Sequence, residues 1–350
     1  MPKTAIVLFN LGGPDKRESI APFLTNFFMD PNIIAAPLPV RFLLSRWIAF
    51  KRSRKEAGSS YAELGYKSPL LENTKEQATA LAHELGNDYK IFIAMRYWHP
   101  FTRDVARDVK TYNPDRIILL PLYPQYSTTT TRSSFQEWIK EAAAIGLQKP
   151  TQLVCCYPLD EGFIKASAEN VTKSYKEMAT KTGRNPRVLF SAHGLPEKLI
   201  KAGDPYQNHC EQSAAAIATA TGIENLDWQI CYQSRVGPLT WIGPSTNEAI
   251  HQAARDSKDI LIYPHAFVSE HVETLVEIEI EYRHLAAELG IGAFARAPTV
   301  MTHPLFIKGL ADRLRTTASD TGFANARVCS ARYKNCCQEQ FKTCELWKVS

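Results

Sequence analysis

No run of about 18 uncharged apolar residues, the length a bilayer-crossing helix needs, occurs in this 350-residue chain. A transmembrane helix is therefore not expected. A secretory leader is not expected either: the one N-terminal apolar run, Ala5–Leu11, stops at Gly12-Gly13-Pro14 and reads as a buried strand and turn. The expected compartment is the reducing cytosol. No strand-like run is followed by Gly-x-Gly-x-x-Gly, and Gly-x-x-x-x-Gly-Lys is absent, which sets dinucleotide and nucleoside triphosphate chemistry aside. Charge of one sign is also in short supply. The net charge of +5 is too mild to argue for a nucleic-acid partner.

What is present is a large apolar fraction, 45% of residues, enough to bury a sizeable core. Short apolar runs bounded by Pro, Gly or polar residues recur at Thr4–Leu11, Tyr89–Met95, Arg116–Leu122, Gln152–Tyr157, Arg187–Ser191, Asp227–Gln233 and Asp259–Tyr263. Helix-length segments with 3.6-residue apolar spacing lie between most of them, among them Asp160–Thr182, Pro205–Thr221 and Ser245–Ser257. Buried strands alternating with helices predict an α/β fold of parallel sheets flanked by helices. The pattern occurs twice, over residues 1–150 and 151–325, and leaves a Cys-rich tail at 326–350.

Ligands of such folds bind beyond the carboxyl ends of the strands. Those ends read Asn10-Leu11-Gly12-Gly13-Pro14, Arg96-Tyr97-Trp98-His99-Pro100, Tyr123-Pro124-Gln125-Tyr126-Ser127, Ser191-Ala192-His193-Gly194, Gln233-Ser234-Arg235 and Pro264-His265-Ala266-Phe267. Rings, His and hydrogen-bonding groups dominate. A crevice between two lobes lined this way suits a flat, conjugated, largely apolar ligand with a polar rim.

Glu273, Glu277 and Glu281 are spaced i, i+4, i+8, with His271 close by and no Lys or Arg between Glu270 and Tyr282 to offset them. The stripe reads either as a solvated helix face or as a path of hard oxygen ligands for a cation. The interleaved Val272, Leu275, Val276, Ile278 and Ile280 argue for a packed helix. Residues 33–55 hold a segment with Val40, Leu43, Leu44, Trp47 and Ile48 on one helical face and Arg41, Lys51 and Arg52 beside it. That segment is either a core-facing helix or a pocket lip that touches a membrane surface.

Leu189-Phe190-Ser191-Ala192-His193-Gly194-Leu195-Pro196, with Gly203-Asp204-Pro205-Tyr206 downstream, resembles the signature of the ferrochelatases. So do the strand ends above, Gln233-Ser234-Arg235-Val236-Gly237-Pro238-Leu239 with Trp241-Ile242-Gly243-Pro244, and Ser269-Glu270-His271-Val272-Glu273-Thr274-Leu275. Their order and intervals match the family over residues 4–312. The resemblance implies two Rossmann-like lobes with the porphyrin cleft between them and insertion of Fe²⁺ into protoporphyrin IX. A coproporphyrin III ferrochelatase, a chelatase loading Co²⁺ or Ni²⁺ into another tetrapyrrole and a non-catalytic haem carrier are the rival readings.

The resemblance further implies that His193 and Glu273 form the metal-site pair. Glu277, Glu281 and His271 are then candidates for an iron or proton path. Leu11, Arg96, Tyr97, Tyr123, Gln233 and Trp241 resemble porphyrin-contacting residues. The propionates need cations, for which Arg96 leads Arg41, Arg46, Lys51 and Arg52.

Eight cysteines in a reducing compartment call for an explanation other than disulfides. Some ferrochelatases carry a [2Fe–2S] cluster. The animal-type ligand position after Tyr-Pro-Gln-Tyr-Ser is Thr128 here, which excludes that arrangement. A microbial pattern with one internal and three C-terminal ligands fits Cys155 or Cys156 with Cys329, Cys336 and either Cys337 or Cys344. A thiol tail, or one that binds Zn²⁺, is the alternative.

Overall fold

The fold is that of a computed structural model, which describes residues 3–55, 57–235, 239–316, 322–324 and 327–344. Val236-Gly237-Pro238 of the resemblance motif lies outside the described residues. Nine strands form two all-parallel sheets among the described residues. Their ranges are β1 Thr4–Asn10, β2 Tyr89–Met95, β3 Arg116–Pro121, β4 Thr151–Leu153, β5 Arg187–His193, β6 Trp228–Gln233, β7 Ile260–Pro264, β8 Phe294–Arg296 and β9 Gly322–Phe323. The first sheet has the order β2-β1-β3-β4-β9 and the second β6-β5-β7-β8. Apart from β9 the two orders are the same.

The strands form where side chains can be buried on both faces. Every residue of β1 and β7 is buried, as a parallel sheet covered by helices on both sides requires. The helices start where the chain supplies a cap. Asp160 accepts from the Phe163 amide at the head of Glu161–Thr182, and Ser245 and Glu248 form a reciprocal capping box at the head of Thr246–Arg255.

The chain divides into two compact units, residues 1–156 with 311–350, and residues 157–310. The sequence suggested breaks at 150 and 325. The chain crosses elsewhere because β4 pairs with β3 at Ile117↔Thr151, and because β9 returns to pair with β4 at Gln152↔Gly322. The apolar run Gln152–Tyr157 is strand only to Leu153; its remainder is buried, and the Val154 amide still bonds the Leu119 carbonyl of β3 at 3.0 Å. No described helix is long and apolar enough to cross a membrane.

Candidate active site

In the second unit the carboxyl end of β5 is His193. Register fixes it there: Ser191, Ala192 and His193 pair with Cys231, Tyr232 and Gln233 of β6. The next residue must be glycine, because a Cβ at 194 would lie 2.8 Å from the Gln233 carbonyl oxygen that the Gly194 amide bonds. The same Cβ would lie 3.4 Å from the Trp241 ring, which places that ring against Gly194. The Tyr206 hydroxyl donates to the His193 carbonyl at 3.0 Å.

His193 Nδ1 and Glu273 Oε2 are 3.0 Å apart. Both side chains keep about a third of their surface open, 37% and 32%, and Nε2 of His193 has no hydrogen bond among the described residues. Burial pulls the imidazole toward the neutral form. The charge and hydrogen bond of Glu273 outweigh it, with help from the Glu277 charge, and hold His193 above its ordinary ionisation. The imidazole is therefore a strengthened base with one nitrogen oriented and the other available.

Glu273 opens a π-helical segment, Glu273–Tyr282. The i+5 spacing of that helix brings the Tyr282 hydroxyl to Glu277 Oε1 at 2.8 Å. Glu277 also accepts from Gln233 Nε2 at 3.1 Å, the Ser234 amide at 2.8 Å and the Ser234 hydroxyl at 2.5 Å. Burial first, then the charge of Glu273, pushes the Glu277 carboxyl above the usual range, against those hydrogen bonds. Glu281, the third member of the sequence stripe, is exposed. The structure thus brings Glu273 and Glu277 to His193 and leaves Glu281 in solvent.

His271 is buried, accepts the Glu273 amide through Nδ1 at 3.0 Å and packs edge-on against Phe267. Burial holds its ionisation below the ordinary value, so it is a neutral support for the first turn. Gln233 is 1% exposed and links the Ser191 hydroxyl, at 2.8 Å, to Glu277. Its side chain is a connector inside the unit.

In the first unit, Arg96 and Tyr97 follow β2, tied to the end of β1 through the carbonyls of Asn10 and Leu11. Gly12 follows at φ +85°, a left-handed turn suited to glycine, and a Cβ there would press on Met95 and Trp98. Arg96 lines a cavity of about 750 Å³ with Asp30, Arg41, Arg103, Glu137 and Lys140. Tyr97 is fully buried and Tyr123 nearly so; burial drives both phenols well above their ordinary ionisation. Leu11 is half-buried.

Residues 33–55 contain the helix Leu38–Lys55. Its inward positions are the small residues Ser45 and Ala49, and Leu43, Trp47 and Phe50 are more than half exposed. Lys51 sits over the Trp47 ring and Arg46 over Phe42.

The cysteines overturn two expectations. Cys155 and Cys337 form a disulfide with Cα atoms 5.7 Å apart, although a reducing compartment argued against one. The [2Fe–2S] centre anticipated from Cys155, Cys156, Cys329, Cys336, Cys337 and Cys344 is not supported. Two of the six sulfurs are bonded to each other, and no group of three or more His, Cys, Asp or Glu among the described residues is arranged to hold a metal ion. The Cys329 thiol hydrogen-bonds with those of Cys156 and Cys336; the Cys156 contact and burial push it up to about 12 against the Cys336 contact. The tail residues Cys337 and Cys344 instead join Cys155, Cys156 and Phe135 in one apolar core.

The ferrochelatase family model matches residues 3–318. A protein named ferrochelatase from Wolbachia sp. subsp. Drosophila simulans is 49% identical over 314 residues, 89% of this chain and 98% of the relative. Another so named, from Caulobacter vibrioides, is 48% identical over 335 residues, 94% of each chain. Among solved structures, SirB from Bacillus subtilis with Fe³⁺ superposes with a TM-score of 0.56 at 12% identity, covering 91% of this chain and 96% of SirB, a likeness of fold. A family match over nearly the whole chain, joined to relatives at almost half identity, makes this protein a member of the ferrochelatase family, the enzymes that place iron in a porphyrin.

Proposed function

We propose that the chain inserts Fe²⁺ into protoporphyrin IX to form protohaem, the closing step of haem synthesis, with His193 and Glu273 as its reacting pair. The observation that carries this reading is the 3.0 Å contact between His193 and Glu273 at the end of β5, with Nε2 of His193 left available. Insertion must release two pyrrole protons for each metal ion taken up. Nε2 accepts one of them, and Glu273 stabilises the imidazolium that forms. Glu277, buried and inclined to hold a proton, is the next acceptor beside it. A carboxylate and an imidazole hold Fe²⁺ weakly, as a metal that must be given up to the porphyrin requires.

Arg96 is assigned to a porphyrin propionate, and Leu11, Tyr97, Tyr123 and Trp241, as the resemblance implies, to support of the macrocycle. Binding that bends the macrocycle points its nitrogen lone pairs at the metal.

A second reading, coproporphyrin III as substrate, is favoured by the further cations Arg41 and Arg103 in the cavity that Arg96 lines, since that porphyrin carries four carboxylates. Anaerobic initial rates of Fe²⁺ insertion into the two porphyrins decide. A higher kcat/KM with protoporphyrin IX supports the first reading, and a higher value with coproporphyrin III replaces it. Binding of either porphyrin without insertion would make the chain a carrier.

The cytoplasm, with a loose peripheral membrane contact, is the proposed location. The exposed apolar face of Leu38–Lys55 and its basic residues support it. Cosedimentation with anionic vesicles, lost on Leu43→Asp, is the expected result.

A further inference from the structure

Asp30 takes part in none of the steps above, yet it is among the most fully committed carboxylates of the first unit. It lies in the turn after the helix Ile20–Phe28 and is 2% exposed. A buried carboxylate is held there only because its oxygens are paired and hydrogen-bonded. Its two oxygens divide the work. Oδ1 closes the turn by accepting from the Asn32 amide at 2.8 Å and from Asn32 Nδ2 at 2.9 Å. Oδ2 accepts from Arg96 Nη2 at 3.1 Å, from the Tyr97 hydroxyl at 2.8 Å and from the Ser133 hydroxyl. One carboxylate therefore ties three segments together: the turn at 30–34, the chain after β2, and the start of the helix Ser133–Ala144.

The consequence for Arg96 follows from the donors of a guanidinium. Nε is held by Ser133 Oγ at 2.7 Å, and Nη2 by Asp30, with Glu137 at 3.7 Å on the same nitrogen. Nη1 has no hydrogen bond among the described residues. The side chain is 14% exposed and lines the 750 Å³ cavity. The fork is thus fixed by one edge, and the rest is left for a ligand carboxylate.

We propose that Asp30 is a positioning residue for porphyrin binding: it locks the Arg96 guanidinium, through Nη2 and through Ser133, in the orientation that receives a porphyrin carboxylate. The inference rests on the assignment of Arg96 to that carboxylate. Asp30 itself touches no substrate. Preorganisation of this kind shows in affinity, because the orientation is set before the porphyrin arrives. Asn at position 30 is the informative replacement. It keeps the size of the side chain but carries no charge and only one oxygen, so even with that oxygen turned to Arg96, Tyr97 and Ser133 the charged hold on Nη2 is lost.

The test is a fluorescence titration of metal-free protoporphyrin IX into the full-length wild type, Arg96→Ala, Asp30→Asn and the double variant, with KM, kcat and thermal midpoint measured for each. Arg96→Ala is expected to weaken binding about tenfold or more, as loss of a hydrogen bond to a charged group does. Asp30→Asn should weaken it severalfold with kcat within about threefold, and the double variant should bind no worse than Arg96→Ala alone. Asp30→Asn binding as wild type beside a weakened Arg96→Ala would overturn the inference and leave the Arg96 assignment standing. So would a double variant whose losses add, because Asp30 would then act by a route other than Arg96. Arg96→Ala binding as wild type would overturn the Arg96 assignment itself, and with it the inference.

Discussion

β1 and β5 occupy the same place in their sheets, each between the second and third strands of its own unit. The residues at their carboxyl ends have opposite fates. Asn10 is buried, with Nδ2 donating to Thr74 Oγ1 at 3.1 Å and Oδ1 accepting the Leu11 amide at 2.9 Å. His193 is tethered through one nitrogen only. The same contrast holds one strand over. Arg96 after β2 keeps a free edge toward a cavity, whereas Gln233 at the end of β6 is consumed inside its unit. A repeated scaffold thus supplies corresponding strand ends, and the chemistry lies in which side chain at or just beyond them is left with unmet bonding capacity. In the second unit that residue is a base beside a carboxylate, suited to protons and metal. In the first it is a cation suited to a carboxylate rim.

The sharpest way to break this contrast is to truncate the two equivalent strand ends. His193→Ala is expected to lower kcat by about 10³-fold or more with its thermal midpoint nearly unchanged. Asn10→Ala is expected to lower stability by about 1–2 kcal/mol and kcat by less than about tenfold. Comparable kcat losses in both would erase the distinction. Next in size, Arg96→Ala is expected to raise the porphyrin KM about tenfold while kcat changes little, in contrast to any change at His193. A dominant kcat effect would place Arg96 with the reacting groups. The smallest catalytic effect belongs to the tail. Cys337→Ser is expected to destabilise the first unit by about 2–4 kcal/mol in denaturant unfolding, with kcat/KM at low temperature unaltered. A large loss of activity in folded protein would give the tail a role in the chemistry.

Much of this contrast was legible in the sequence. Six of the seven apolar runs are the long strands that carry the strand-end residues, because a doubly covered strand cannot hide its hydrophobicity. β8 and β9 are three and two residues long and only half buried, so they leave no pattern in the sequence. His193 and Glu273 were legible through resemblance. The acidic stripe was only partly so, because its spacing assumed an α-helix: the segment is π-helical, Glu277 is tied through Tyr282, and Glu281 faces solvent. Asp30 left one faint signal, a carboxylate next to Pro31-Asn32 immediately after an apolar helix. That pattern marks a turn and says nothing of Arg96, since the partners are 66 and 103 residues away. The Cys155–Cys337 link joins residues 182 positions apart, which spacing alone does not reveal.

The pH dependence of anaerobic Fe²⁺ insertion in wild type and Glu273→Gln tests the central claim most directly. Glu273 raises the ionisation of His193, so the acid limb of kcat, where the imidazole must lose its proton to act as base, lies above the ordinary imidazole value in the wild type. By linkage, the stability that the pair contributes is complete below the unfolded imidazole value and fades as pH rises through the higher folded one. Removing the charge should move the acid limb to lower pH and reduce the maximal rate by about 10²-fold. An acid limb that stays in place, with the rate preserved, would mean that Glu273 does not govern His193 and that the reacting pair has been misassigned.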